Sequence, residues 1–175
     1  MSSQNPAPEH LEAVNEFAGG AAQHLRDSIN LADQKAGYLF ATATAVLAYL
    51  HSTEATKRWM DGLRGGQWGI AETLIGIAVI GLVVGAIGSL FVVVPRTRGA
   101  ARGIVASWAI ATFPTPEEYA NQVLASDKTV LTRAMLEHCW ILSKINGRKY
   151  LIVNIAIRFC FVGLVAAILY LGFAR

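Results

Sequence analysis

Lys35, Arg96, Arg98, Lys144, Arg148 and Lys149, with the rings of Trp108, Tyr119 and Tyr150, are the cations and aromatic groups that gather at one end of the apolar runs in this chain. Such a set could take an anionic ligand with a flat base. Ammonium and guanidinium groups make charge-assisted hydrogen bonds to phosphate, and an aromatic face stacks on a base or a cation. The same residues carry a plainer reading, in which they supply the positive charge of a cytoplasmic membrane face and hold anionic lipid headgroups. For any single Arg or Lys taken alone, the plainer reading is favoured.

Asp33 and Lys35 are harder to absorb in this way. Residues two apart on a helix project about 200° apart, so these two cannot neutralise each other and each needs a partner of its own. Arg96, Arg98 or Lys149 could serve Asp33. A phosphate, a carboxylate such as Glu137, or a group from another subunit could serve Lys35.

Other chemistries find no support. Hydrolysis or group transfer needs a nucleophile with its base, paired carboxylates in a cleft or a metal cluster. The four histidines at positions 10, 24, 51 and 138 are scattered, and His138, on an apolar stripe, reads as a satisfied core histidine. Cys139 and Cys160 lie in different environments, which excludes a disulfide framework and a metal spacing and leaves two inert thiols. No phosphate-binding loop or dinucleotide fingerprint is present. Enzymatic activity, a metal, a cofactor and a nucleic-acid partner are therefore not expected.

The elements that must position the cations follow from the apolar blocks. The chain has 175 residues, 54% apolar and 15% charged, with the apolar residues concentrated in runs 37–50, 70–94 and 151–174. Crossing a bilayer takes roughly 20 mainly apolar helical residues. The second run qualifies with Glu72 as its one ionisable residue, and the third qualifies apart from Arg158. The first must borrow residues on either side. Arg158 either snorkels to the cytoplasmic face or lines a polar seam between spans.

An all-α membrane protein follows, with about three transmembrane helices and long helices extending into a small cytoplasmic helical head. Its expected parts are a disordered tail at 1–7, a cytoplasmic helix at 8–36, spans at 37–56, 70–94 and 151–174, an outer loop at 57–69 and the head at 95–150. Lys and Arg near the membrane divide in favour of a cytoplasmic N-terminus and head. Arg26, Lys35, Arg96, Arg98, Arg102, Lys144, Arg148 and Lys149 stand against Lys57, Arg58, Arg64 and Arg175. A polar, amphipathic start argues against a cleavable signal peptide.

The stripe Leu11, Val14, Ala18, Ala21, Leu25, Ser28, Ala32, Lys35 and Leu39 has coiled-coil spacing, and Gly19-Gly20 weakens that helix by about 1 kcal/mol per glycine. In the outer loop, Trp59 and Trp68 sit where interfacial aromatics usually lie. Gly81, Gly85 and Gly88 share one face of the second span and allow close helix packing, within or between subunits. In the head, residues 100–112 read as a short helix. Thr115, Pro116 and Glu118 read as the N-cap, first turn and capping box of a second one. From there Leu124, Leu131, Met135, His138, Leu142 and Ile145 keep a seven-residue pattern that continues through Asn146-Gly147 into the third span.

Four segments resemble the transmembrane effectors of the bacterial Pycsar anti-phage system, over about residues 17–173. They are Ala32-Asp33-Gln34-Lys35-Ala36 entering the first span, Val94-Pro95-Arg96 closing the second, Pro116-Glu117-Glu118-Tyr119 in the head and Arg148-Lys149-Tyr150 opening the third. The resemblance implies that a companion pyrimidine cyclase makes cyclic UMP or cyclic CMP on infection. This chain then binds the nucleotide and impairs the inner membrane, so that the host stops growing before phage matures. It points to Asp33, Lys35, Arg96, Tyr119, Lys149 and Tyr150, which Arg98 joins on chemistry alone. A population shift between closed and membrane-disrupting states would be sharpened in a homo-oligomer carrying several sites. Two alternatives stay open: a constitutive scaffold or lipid-binding protein in the bilayer, and a small channel or transporter not gated by nucleotide.

Overall fold

A computed structural model describes residues 8–66, 69–94, 105 and 107–173. Among these, every regular element is a helix: α1 (Pro8–Ser52), α2 (Ala55–Gly65), α3 (Ile70–Val93), α4 (Ser107–Ile110), α5 (Pro116–Ala125) and α6 (Lys128–Phe173). The expected disordered tail at 1–7, Trp68, Arg96 and Arg98, and residues 100–104 and 106 of the helix expected at 100–112 lie outside the described residues. Of its described residues, 105 and 107–112, α4 (Ser107–Ile110) is the helical part.

Two of the described helices, α3 and α6, are long and apolar enough to cross a bilayer. The run expected as the first span lies in α1 and does not reach the same apolarity, because Gly37, Tyr38, Thr42, Thr44 and Tyr49 dilute it. Glu72, the one carboxylate of α3, is accounted for by its position in the first turn. Its Oε2 accepts from the Gly69 backbone N–H at 2.9 Å, where a negative charge meets the positive end of the helix.

The chain forms two compact units. One holds α1 up to Asn30, α4, α5 and α6 up to Gly147. The other holds α1 from Leu31, α2, α3 and α6 from Arg148. In the first unit, α1 and α6 run side by side in the same direction. Cys139 Sγ donates to Ala18 O at 3.2 Å, and Asn146 Nδ2 donates to Ser28 Oγ at 3.1 Å. In the second unit a core of small and aliphatic residues forms between Ala43 and Leu50 of α1, Ile75, Ala78, Leu82 and Ala86 of α3, and Cys160, Ala166, Ala167 and Tyr170 of α6.

The glycine face of α3 is turned to α6. A Cβ placed on Gly81 would stand 2.9 Å from Phe159 O and 3.0 Å from the Gly163 backbone, and one on Gly88 would stand 3.2 Å from the Ala156 Cβ. One on Gly85 would collide with Cys160 Sγ. These helices approach to backbone contact, as small residues permit.

Two local expectations change. Residues 57–69, expected as an outer loop, hold most of the three-turn helix α2, which packs on α3 through Trp59; its indole lies against Gly76. The sequence pointed to a loop because Gly62, Gly65 and Gly66 are there, but Gly66 is a C-cap in the left-handed region at φ 67° and so ends the helix. The seven-residue pattern drawn from Leu124 onward does not run in one helix. Ser126 and Asp127 break it, Asp127 Oδ1 accepts from Lys128 N at 2.7 Å to start α6, and Leu124 is left exposed. Gly19-Gly20 leaves α1 unbroken.

Candidate functional site

The collar around residues 33–36 and 149–153 is built on buried alanines. Ala32 and Ala36, one turn apart on α1, pack with Val92 and Val153, and Leu39, Tyr150 and Ile152 close over them. Lining these alanines against α6 sends their neighbours to opposite flanks. Asp33 emerges on one side and Lys35 on the other, as the 200° separation requires.

Adjacent α6 residues meet them. Lys149 Nζ donates to both carboxylate oxygens of Asp33, at 2.5 and 2.7 Å. Lys35 Nζ stands 5.7 Å from the centroid of the Tyr150 ring. The two clasps differ in shelter: the Lys149 side chain is only 18% exposed and that of Asp33 33%, whereas Lys35 is exposed. A sheltered, two-bond ion pair is the stronger contact, and an exposed cation over a half-buried ring contributes about 0.5–1 kcal/mol.

The structure thus brings together four of the residues singled out in the sequence, Asp33, Lys35, Lys149 and Tyr150. Of the partners open to Asp33, Lys149 is joined to it, while Arg96 and Arg98 lie outside the described residues. Lys35 does not lie on the buried stripe as its spacing suggested. Ala36 takes that position, and among the described residues Lys35 has no carboxylate partner. Glu137, once a candidate for it, pairs with Arg133 at 3.4 Å. Tyr119 belongs to the first unit, where its ring meets Phe113 edge-on at 5.3 Å, next to the helix start at which Thr115 Oγ1 accepts from Glu118 N at 3.2 Å.

A second polar cluster, in the first unit, was missed. His138 is buried, and its Nε2 lies 3.5 Å from an Arg26 guanidinium nitrogen. Guanidinium only donates, so Nε2 accepts and the ring proton sits on Nδ1, which has no hydrogen-bond partner among the described residues. The expectation of a satisfied core histidine is met in part: among the described residues one ring nitrogen is served and the other is not. The spacing hid this because Arg26 had been counted only as a juxtamembrane charge.

Burial pushes the His138 imidazole below its ordinary value of 6.5, and the Arg26 guanidinium beside it adds to the shift. A histidine kept neutral in the fold but free to protonate when unfolded leaves stability intact above about pH 6.5. Stability then falls as pH drops from there toward the depressed native value. Thermal unfolding in detergent should show a lower midpoint at pH 5.5 than at pH 7.5, and the difference should shrink in His138→Leu. An equal difference in that variant would remove His138 as the cause.

Comparison with known families decides where the chain belongs. A family model described as the Pycsar effector protein domain matches residues 17–174. The chain belongs to the Pycsar effector family. Curated proteins and solved structures gave no match. Membership makes it an anti-phage defence effector and a membrane protein, consistent with its two span-length apolar helices. In this Pycsar effector the matched region takes in α2 to α6 entire and α1 from Phe17, so the collar lies wholly inside it.

Proposed function

We propose that this Pycsar effector binds a cyclic pyrimidine mononucleotide, cyclic UMP or cyclic CMP, at the collar and in response impairs the integrity of the inner membrane. It acts as a binding effector without catalysis. Residues 37–56 form a third span beside α3 and α6, the first unit is the cytoplasmic head, and the active species is a homo-oligomer. Family membership supports a companion cyclase as the source of the ligand.

The observation that carries this reading is the Lys35–Tyr150 contact. A cation with no carboxylate partner among the described residues rests over an aromatic ring. A ligand with both a phosphate and a flat base can take both at once, the phosphate drawing Lys35 and the base stacking on Tyr150. A lipid headgroup offers the phosphate but no flat base to stack on the ring. Base–aromatic stacking contributes about 1–3 kcal/mol, roughly tenfold or more in affinity.

Binding shifts the closed and membrane-disrupting states only through a difference in affinity for the two. A hundredfold preference supplies about 2.7 kcal/mol per site, and sites in an oligomer act together. Calorimetric titration of the purified protein with cyclic UMP and cyclic CMP should give saturable binding, weakened tenfold or more in Tyr150→Leu and retained in Tyr150→Phe. In cells expressing the effector, supplying the bound nucleotide should collapse the membrane potential. Unchanged potential at saturating nucleotide would sink the proposal.

A further inference from the structure

Helix α2 is amphipathic and is fixed in place. Glu54, in the left-handed region at φ 58°, turns the chain from α1 into it, and Ala55 and Trp59 pack inward on the core of the second unit. With that face occupied, Met60 and Leu63 are each left 45% exposed. By helical rotation Lys57 and Arg64 border this apolar pair on the Met60 side, away from Trp59, while Arg58 and Asp61 lie farther round. The next helix begins with another exposed apolar side chain, Ile70, 72% exposed, and continues with the exposed Ile77, Ile80, Val84 and Ile87. The apolar surface of α2 therefore adjoins, in sequence, the surface that α3 presents to its surroundings.

We propose that α2 lies along the bilayer face at which α3 begins, as an interfacial helix whose partner is the phospholipid headgroup layer. Met60 and Leu63 enter the acyl boundary. Lys57 and Arg64 reach lipid phosphates, their long stems lying along apolar surface with the charges outward. Arg58 and Asp61 face water. This rests on α3 crossing the membrane and is independent of any nucleotide. A second copy of the chain would have to match a cationic rim as well as the apolar pair, whereas a phospholipid surface supplies phosphate directly above acyl chain.

Spin labels test it in the full-length protein, reconstituted in nanodiscs of phosphatidylcholine and phosphatidylglycerol. Single cysteines replace Arg58, Met60, Asp61, Leu63 and Ile80, with Cys139→Ser and Cys160→Ala removing the two native thiols. Every labelled position is exposed, so labelling leaves the core intact. At positions 60 and 63, collisions with oxygen should exceed those with a water-soluble nickel chelate, with the ratio reversed at 58 and 61. Position 80 is the control for α3. If 80 lies in lipid while 60 and 63 collide with nickel as readily as 58 and 61, α2 stands in water and the proposal fails. Shielding of 60 and 63 from both reagents would place protein there and overturn it equally. Nickel access at 80 would remove its premise, the span itself.

Discussion

Gly81→Leu is expected to abolish the folded membrane bundle. Even the first added carbon has nowhere to go, because the atoms nearest to it are Phe159 O at 2.9 Å and the nitrogen and Cα of Gly163 at 3.0 Å. All three are backbone, so relief requires moving α6 bodily rather than rotating a side chain. The contact is reciprocal: a Cβ on Gly163 would meet Leu82 N at 2.9 Å and Ala78 O at 3.0 Å. Ordinary overpacking costs about 1–3 kcal/mol, and a leucine here exceeds that range because neither helix can yield locally. Gly88→Ala is the contrast, since its nearest obstacle is the Ala156 methyl at 3.2 Å, and it should stay close to the parent. In detergent, size-exclusion profiles and thermal midpoints should show no monodisperse species for Gly81→Leu or Gly163→Leu and a near-parental profile for Gly88→Ala. A parental midpoint for Gly81→Leu would mean that the helices do not meet as described.

That pair of outcomes also marks what could be read from residues alone. Three small residues on one face of an apolar run announce close packing, but not against what. The reply lies in Ala156, Cys160 and Gly163, some 75 positions away, and depends on how α6 is rotated. The same limit held at the collar. Two opposite charges two residues apart had to find separate partners, whereas the pairing of Asp33 with Lys149 depended on the packing of Ala32 and Ala36 on Val153. Long helices were legible because their apolar pattern is sustained. Breaks were less so: Ser126-Asp127 carries a good N-cap residue, and a pattern extended by sevens ran straight through it. Gly19-Gly20 marked a weak point in a long helix, and the helix runs through it. There the loss of about 1 kcal/mol per glycine is spread over a 45-residue helix whose stability comes from its packed face.

Lys35→Ala and Lys149→Ala are expected to separate ligand binding from stability, and the separation bears on the proposed function more directly than either variant alone. Lys149 is sheltered and committed to Asp33 by two short bonds. Truncating it strands a partly buried carboxylate, at a cost of about 1–3 kcal/mol, so its thermal midpoint should fall. Lys35 is exposed and gives the fold only its cation–π contact, about 0.5–1 kcal/mol, so its midpoint should hardly move. For an anionic ligand the order reverses. Lys149 already has its charge met, whereas Lys35 is the cation still available to a phosphate. A charge-assisted hydrogen bond contributes about 1.5–3 kcal/mol, which makes Lys35→Ala about ten- to a hundredfold weaker for the cyclic nucleotide. Calorimetry and thermal unfolding on the two variants should therefore rank them in opposite orders. If both variants lose stability alike and neither they nor the parent binds a nucleotide, the collar is a lipid anchor, and the defence function must then draw its ligand elsewhere on the chain.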